Sequence, residues 1–158
     1  MNPAINSYMI KRIAVAFLIF SCLAGCRSSK KTSSSSSQSA KHADILDDET
    51  YKLTAVSEDD TYAFSEKNPV RVGGVGSGPK NERRFLNALL GPNGEVITYV
   101  RRGSCCPFKT LNGLAGRGLL DMYEIRYNGL EKPLIIYINM YNAGKLKAPK
   151  GFTYRTQP

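Results

Sequence analysis

The sequence predicts a small α+β domain, a mainly antiparallel sheet with one short helix. Two runs near the C-terminus, residues 120–127 and 133–141, are rich in Ile and Tyr and flank the turn-forming Asn128-Gly129. A single stretch, 81–90, places Phe85 with Leu89 and Leu86 with Leu90 at the spacing of one helical face. Short strand-like runs and turns fill the rest, without the regular βα alternation of a parallel sheet.

In chain order, strands are expected at 51–56, 61–64 and 70–72. A glycine-rich loop follows, Val72 to Lys80, and leads into the helix. Asn81 suits the N-cap, Glu82 favours the first turn, and Gly91 is the stop. The alternative for 81–90 is a hairpin partner to the next strand. Gly91-Pro92-Asn93-Gly94 is a turn before a strand at 95–101. In the C-terminal hairpin, Asp121, Tyr123, Ile125 and Tyr127 share one face and Leu120, Met122, Glu124 and Arg126 the other. The second run is apolar on both faces, as an interior strand is, and Pro133 fits its first position.

The N-terminus addresses the chain to a membrane. Lys11 and Arg12 precede an apolar run at 13–20, and Leu23-Ala24-Gly25-Cys26 follows. The apolar run is too short for a spanning helix, which needs about 20 residues, but has the order of parts of an export signal. It resembles the lipobox of bacterial lipoprotein precursors. The resemblance implies a signal peptide at 1–25, with cleavage before Cys26 and acylation of that residue, palmitate included, as the membrane anchor. Residues 26–43 then form a Ser-rich tether and 44–158 a single globular domain. The expected location is the cell envelope, on the outer membrane facing the periplasm in a Gram-negative cell, because Arg27 follows the cysteine.

Charge is unevenly spread. Residues 41–66 hold eight acids against Lys41 and Lys52, whereas fifteen Lys or Arg face five acids from Lys67 onward. The acidic segment either packs near the basic domain or is solvated with it. Export and the absence of a recognisable nucleic-acid module argue against nucleic acid as a partner. Anionic glycans, lipid headgroups or an envelope protein remain, with Arg83, Arg84, Arg101 and Arg102 as the expected ligand-binding charges.

No catalytic constellation is visible. The one histidine, His42, lies in the tether, which removes histidine triads and histidine-rich metal sites from the domain. No metal and no cofactor is expected. Asp121 and Glu124 point to opposite strand faces and make a poor acid–base pair. The glycine loop fails the nucleotide patterns, with Pro79 at the P-loop lysine position and Asn81 at the Ser/Thr position. Cys105 and Cys106 are vicinal; they are expected to be a structural disulfide or buried thiols, with a redox or ligand-contacting role and intermolecular bridging as alternatives.

Six segments together carry a family resemblance: 65–74, Asn81-Glu82-Arg83-Arg84-Phe85-Leu86, Gly91-Pro92-Asn93-Gly94, Gly103-Ser104-Cys105-Cys106-Pro107-Phe108, Gly118-Leu119-Leu120-Asp121 and Tyr137-Ile138-Asn139-Met140-Tyr141. Over roughly 60–152 the chain resembles a group of uncharacterised bacterial envelope lipoproteins whose members often carry the name 2-dehydro-3-deoxyphosphooctonate aldolase. That name implies an enzyme acting on a phosphorylated or acidic sugar, with phosphate held by the 73–78 loop, Arg83 and Arg84. The enzyme so named is a β/α barrel, which takes about 250 residues. An envelope lipoprotein that binds or scaffolds an anionic component is the expected function, ahead of that enzyme and of a thiol-redox protein.

Overall fold

A computed structural model describes residues 43–158. The expected signal, Cys26 and nearly all of the tether lie outside the described residues. The elements are β1 (Ile45–Asp47), β2 (Thr50–Tyr51), β3 (Val70–Arg71), α1 (Gly78–Asn87), β4 (Leu89–Leu90), β5 (Thr98–Lys109), β6 (Arg117–Arg126), β7 (Leu134–Asn139) and β8 (Thr153–Tyr154). The expected α+β class holds: the described residues form one short α-helix and mainly antiparallel strands, with no closed barrel among them.

The central sheet has the order β3-β7-β6-β5. β6 and β7 form the expected hairpin, in register from Asp121↔Ile138 to Ile125↔Leu134. β3 lies parallel to β7, with Val70 opposite Ile138 and Arg71 opposite Asn139. Residues opposite one another share a face. Ile136, Ile138, Ile125 and Val70 therefore form one fully buried layer, against which α1 sets Phe85 and Leu86. Each such side chain contributes about 1.5–3 kcal/mol by leaving water.

The helix starts three residues before its expected N-cap. Pro79 occupies the first turn, where its missing N–H costs nothing. Asn81 lies inside the helix and uses its Nδ2 to donate to the Gly73 carbonyl at 2.9 Å. The helix also ends early, because Leu89 and Leu90 leave it to pair with Tyr154 and Thr153. The glycine loop is built for close approach. Gly73 (φ +64°) would bring a Cβ within 2.8 Å of the Ala143 Cβ, and a Cβ at Gly78 would lie 2.6 Å from the Met140 sulfur.

Three strand expectations are corrected. Residues 61–64 form turns, because Asp59 captures the Thr61 N–H and hydroxyl, at 2.8 and 2.7 Å, and the Asn68 amide. Of 51–56, only Tyr51 is in a strand and Val56 makes an isolated bridge to Ala148. Most important, β5 does not stop at 101. It runs on through Cys105, Cys106 and Pro107 and absorbs them with register shifts at Arg101/Gly103 and Cys105/Phe108.

The acidic segment packs onto the basic domain. Arg84 Nε donates to the Asp48 carbonyl at 2.8 Å and stands 6.0 Å over the Tyr51 ring. Asn87 Nδ2 donates to the Glu49 carbonyl, Lys80 pairs with Glu49 at 3.2 Å, and Lys150 pairs with Asp60.

Candidate functional site

Two faces of the central sheet hold the domain's ionisable chemistry, and they hold it differently. On the helix face, Asp121 is buried at 4% exposure. It accepts from Arg101 Nε and Nη2 at 3.0 and 2.8 Å and from the Ser104 hydroxyl at 2.6 Å. Regular alternation would send Arg101 and Ser104, three residues apart, to opposite faces. The bulge at Arg101/Gly103, with Gly103 at φ +132°, brings both to Asp121.

Beneath this cluster, Glu82 of α1 is completely buried. Its Oε2 accepts from the Tyr123 hydroxyl at 2.9 Å, and its Oε1 has no hydrogen-bond partner. Burial, then the neighbouring Asp121 charge, pushes the Glu82 carboxyl up to about 7. A proton there turns the orphan acceptor into a donor toward Asp121. Burial acts to raise Asp121 as well, but the Arg101 and Ser104 hydrogen bonds and the Arg101 charge outweigh it and hold this carboxylate below its ordinary value. Burial and the Glu82 charge raise the Tyr123 hydroxyl. Glu82, expected as a first-turn acid, is instead part of the core. The sequence carried a signal of this, since Glu82 precedes Phe85 by three and Leu86 by four and so falls on the buried face. No substrate reaches a carboxyl with zero exposure; Glu82, Asp121 and Tyr123 form a buried polar core capped by the half-exposed Arg101.

The expected arginine set does not converge. Arg101 is committed to Asp121. Arg102 lies in the bulge and reaches the other face, where its Nε donates to Glu124 at 2.8 Å beside Arg126 at 2.9 Å. Those arginines hold Glu124 below its ordinary value, the Arg102 hydrogen bond foremost. Arg84 fastens the β1–β2 turn to the helix. Arg83 is exposed on α1 and forms no hydrogen bond or salt bridge among the described residues. Glu124 and Asp121 indeed stand on opposite faces. The tyrosines around β6 and β7 pack singly: Tyr123 edge-on against Tyr99, Tyr127 against Phe152, and Tyr141 against Phe108.

The face away from the helix opens into a cleft of about 710 Å³. Its floor is Leu120, Cys106, Pro107 and Phe108, and its walls carry Lys67, Arg71, Lys109, Asn139 and Asn142. Arg71 is opposite Asn139, and Cys105 is opposite Leu120. Cys105 and Cys106 are joined as a disulfide between chain neighbours. Cys106 takes φ +58° there, the second break in the β5 register.

Among the described residues, neither Lys67, Arg71 nor Lys109 forms a salt bridge or side-chain hydrogen bond, and Glu66 is the one acid on the rim. Asn139 is 3% exposed, and its Oδ1 accepts the backbone N–H groups of Tyr141 and Asn142 at 2.9 and 3.0 Å. Its Nδ2 has no acceptor among the described residues. No family model, curated protein or solved structure matches this chain.

The cleft therefore offers cationic walls, an oriented amide donor and an apolar floor. That arrangement suits a ligand with an anionic group on a body that has an apolar face. Its residues were hard to find in the sequence, because Lys67, Arg71 and Lys109 come from separate segments joined by the parallel β3–β7 pair and the bulged β5. Among the described residues no group of three His, Cys, Asp or Glu side chains is placed to hold a metal ion.

Proposed function

We propose that this chain is a cell-envelope lipoprotein, anchored through Cys26, whose domain binds an anionic envelope component in the cleft beside Cys106. One observation carries the reading: three cations without acid partners surround the apolar floor, while Arg101, Arg102 and Arg126 of the neighbouring strands are paired to Asp121 and Glu124. A cationic cleft with low-dielectric walls concentrates anions, and Arg71 can bond a carboxylate or phosphate in two places. The apolar floor suits the hydrophobic face of a sugar ring, so an acidic or phosphorylated glycan is the favoured class. Arg83 remains available as a peripheral charge. Arg84, Arg101 and Arg102 serve the fold.

Calorimetric titration of the full chain with phosphorylated lipopolysaccharide core oligosaccharide, peptidoglycan fragments and phosphosugars tests the reading. Binding by one of these is expected, weakening as salt rises and falling by about tenfold or more in Arg71→Ala, the loss of one charge-assisted hydrogen bond. Equal binding by the wild-type and Arg71→Ala chains would overturn the cleft assignment. The anchor is tested separately, by labelled palmitate that enters the wild-type chain in cells and is lost in Cys26→Ser.

A thiol-redox role is the second reading, favoured by the placement of Cys106 in the cleft floor. It predicts that Cys105→Ser abolishes an activity which reductant and oxidant modulate, whereas the binding reading predicts that ligand is still held.

A further inference from the structure

The β5–β6 connection, residues 110–116, carries the most exposed apolar side chains among the described residues. Leu111 is 100% exposed and Leu114 is 91% exposed. They project from a braced hairpin end: the Thr110 hydroxyl donates to Asn142 Oδ1 at 2.8 Å, and Asn112 Nδ2 donates to the Tyr141 carbonyl at 3.2 Å. Gly113 closes the turn where a Cβ would collide with the Arg117 carbonyl. Two leucines are thus held out in water by a shaped support.

At the base of this tip, Lys109 and Arg117 stand directly opposite one another across the strands. Like charges in that position work against pairing, and no acid occurs anywhere from Arg102 to Leu120 to offset them. Two protruding leucines above a pair of cations match the layering of an anionic bilayer, in which acyl chains lie beneath negatively charged headgroups. A protein pocket would satisfy the leucines but supplies no general reason for the facing cations.

We infer that the 110–116 tip is a membrane-contacting element, in which Leu111 and Leu114 enter the interface of an anionic lipid surface while Lys109 and Arg117 hold its headgroups. The inference shares Lys109 with the cleft but rests on Leu111, Leu114 and Arg117, so it stands whichever ligand the cleft takes. It gives the domain a second, reversible contact with a bilayer, with residues 110–116 facing the lipid.

The chain contains no tryptophan, so Leu111→Trp installs a single reporter. The full-length protein is mixed with vesicles of phosphatidylethanolamine containing a one-quarter share of phosphatidylglycerol, with and without brominated acyl chains. Blue-shifted emission quenched by the brominated lipid is expected for Leu111→Trp and for Leu114→Trp. Val96→Trp, exposed near the far end of β5, should stay unquenched. Adding Arg117→Glu should weaken the quenching titration by about tenfold or more, and omitting phosphatidylglycerol should act in the same direction. Water-like, unquenched emission from both tip reporters would overturn the inference. So would a blue shift that appears without lipid as protein concentration rises, which would make the occupant a second copy of the chain.

Discussion

Adjacent rows of the same sheet treat charge in opposite ways. Val70, Ile138, Asp121 and Ser104 lie in register across the four strands beneath α1. There Asp121 and its neighbours satisfy one another and exclude ligand. One residue further along β3 and β7, and one back along β6, Arg71, Asn139 and Leu120 face the cleft with cations unmatched. The difference shows where function can reside. Charge neutralised inside the fold contributes to its shape, and charge left facing a cleft is available to a partner.

The contrast breaks most sharply at Asp121. Asp121→Ala removes the buried carboxylate that accepts from Arg101 and Ser104, and because the half-exposed Arg101 guanidinium regains water the loss is that of the charged hydrogen bonds, about 1.5–3 kcal/mol. Denaturant unfolding should show that loss, with Arg71→Ala changing stability by no more than about 0.5 kcal/mol. Comparable losses at the two positions would erase the distinction between the rows.

A second effect, of comparable size, is pH dependence. The Glu82 carboxyl ordinarily titrates near 4.5 and in the fold near 7. Its stabilising contribution is therefore complete below pH 4.5 and lost as pH rises through 7, about 3 kcal/mol in all. Asp121 has the opposite sign: its value is lowered, so its contribution is present above about 3.8 and lost as pH falls. Urea midpoints should accordingly peak near pH 5 and decline toward pH 8. Glu82→Gln can keep the Tyr123 bond and donate to Asp121, so it should flatten the alkaline slope and exceed the wild-type chain at pH 8. A parallel slope in that variant would assign the dependence to other groups.

Legibility followed locality. The β6–β7 hairpin could be read because its alternation is unbroken and its partners adjoin in sequence. The buried face of α1 was visible in Phe85 and Leu86, while its boundaries shifted because Pro79 starts the helix and Thr153–Tyr154 draws Leu89 and Leu90 away. β5 outruns its expected end at 101 because Gly103, the cysteines and Pro107 interrupt a two-residue period, and only their partners on β6 show that bulges accommodate them. The cleft was the least legible part. Arg71 meets Asn139 through a parallel pairing 68 positions apart, which no local pattern announces.

The smallest expected effect sharpens the cleft side of the contrast. A disulfide between chain neighbours closes almost no loop, so it constrains the unfolded chain little. The double variant Cys105→Ser, Cys106→Ser should lose no more than about 1 kcal/mol in thermal unfolding, with ligand still held over the Cys106 floor. A large loss of stability would instead make the disulfide a staple of the fold.

The most direct test of the central claim is a titration of the isotopically labelled chain by NMR with the phosphorylated glycan that binds best. Shifts concentrated at Arg71, Asn139 and Cys106, with Arg101 and Tyr123 unmoved, are the predicted result. Shifts centred on Arg84, Arg101 or Arg102 would contradict it and place the ligand on the charges assigned here to the fold.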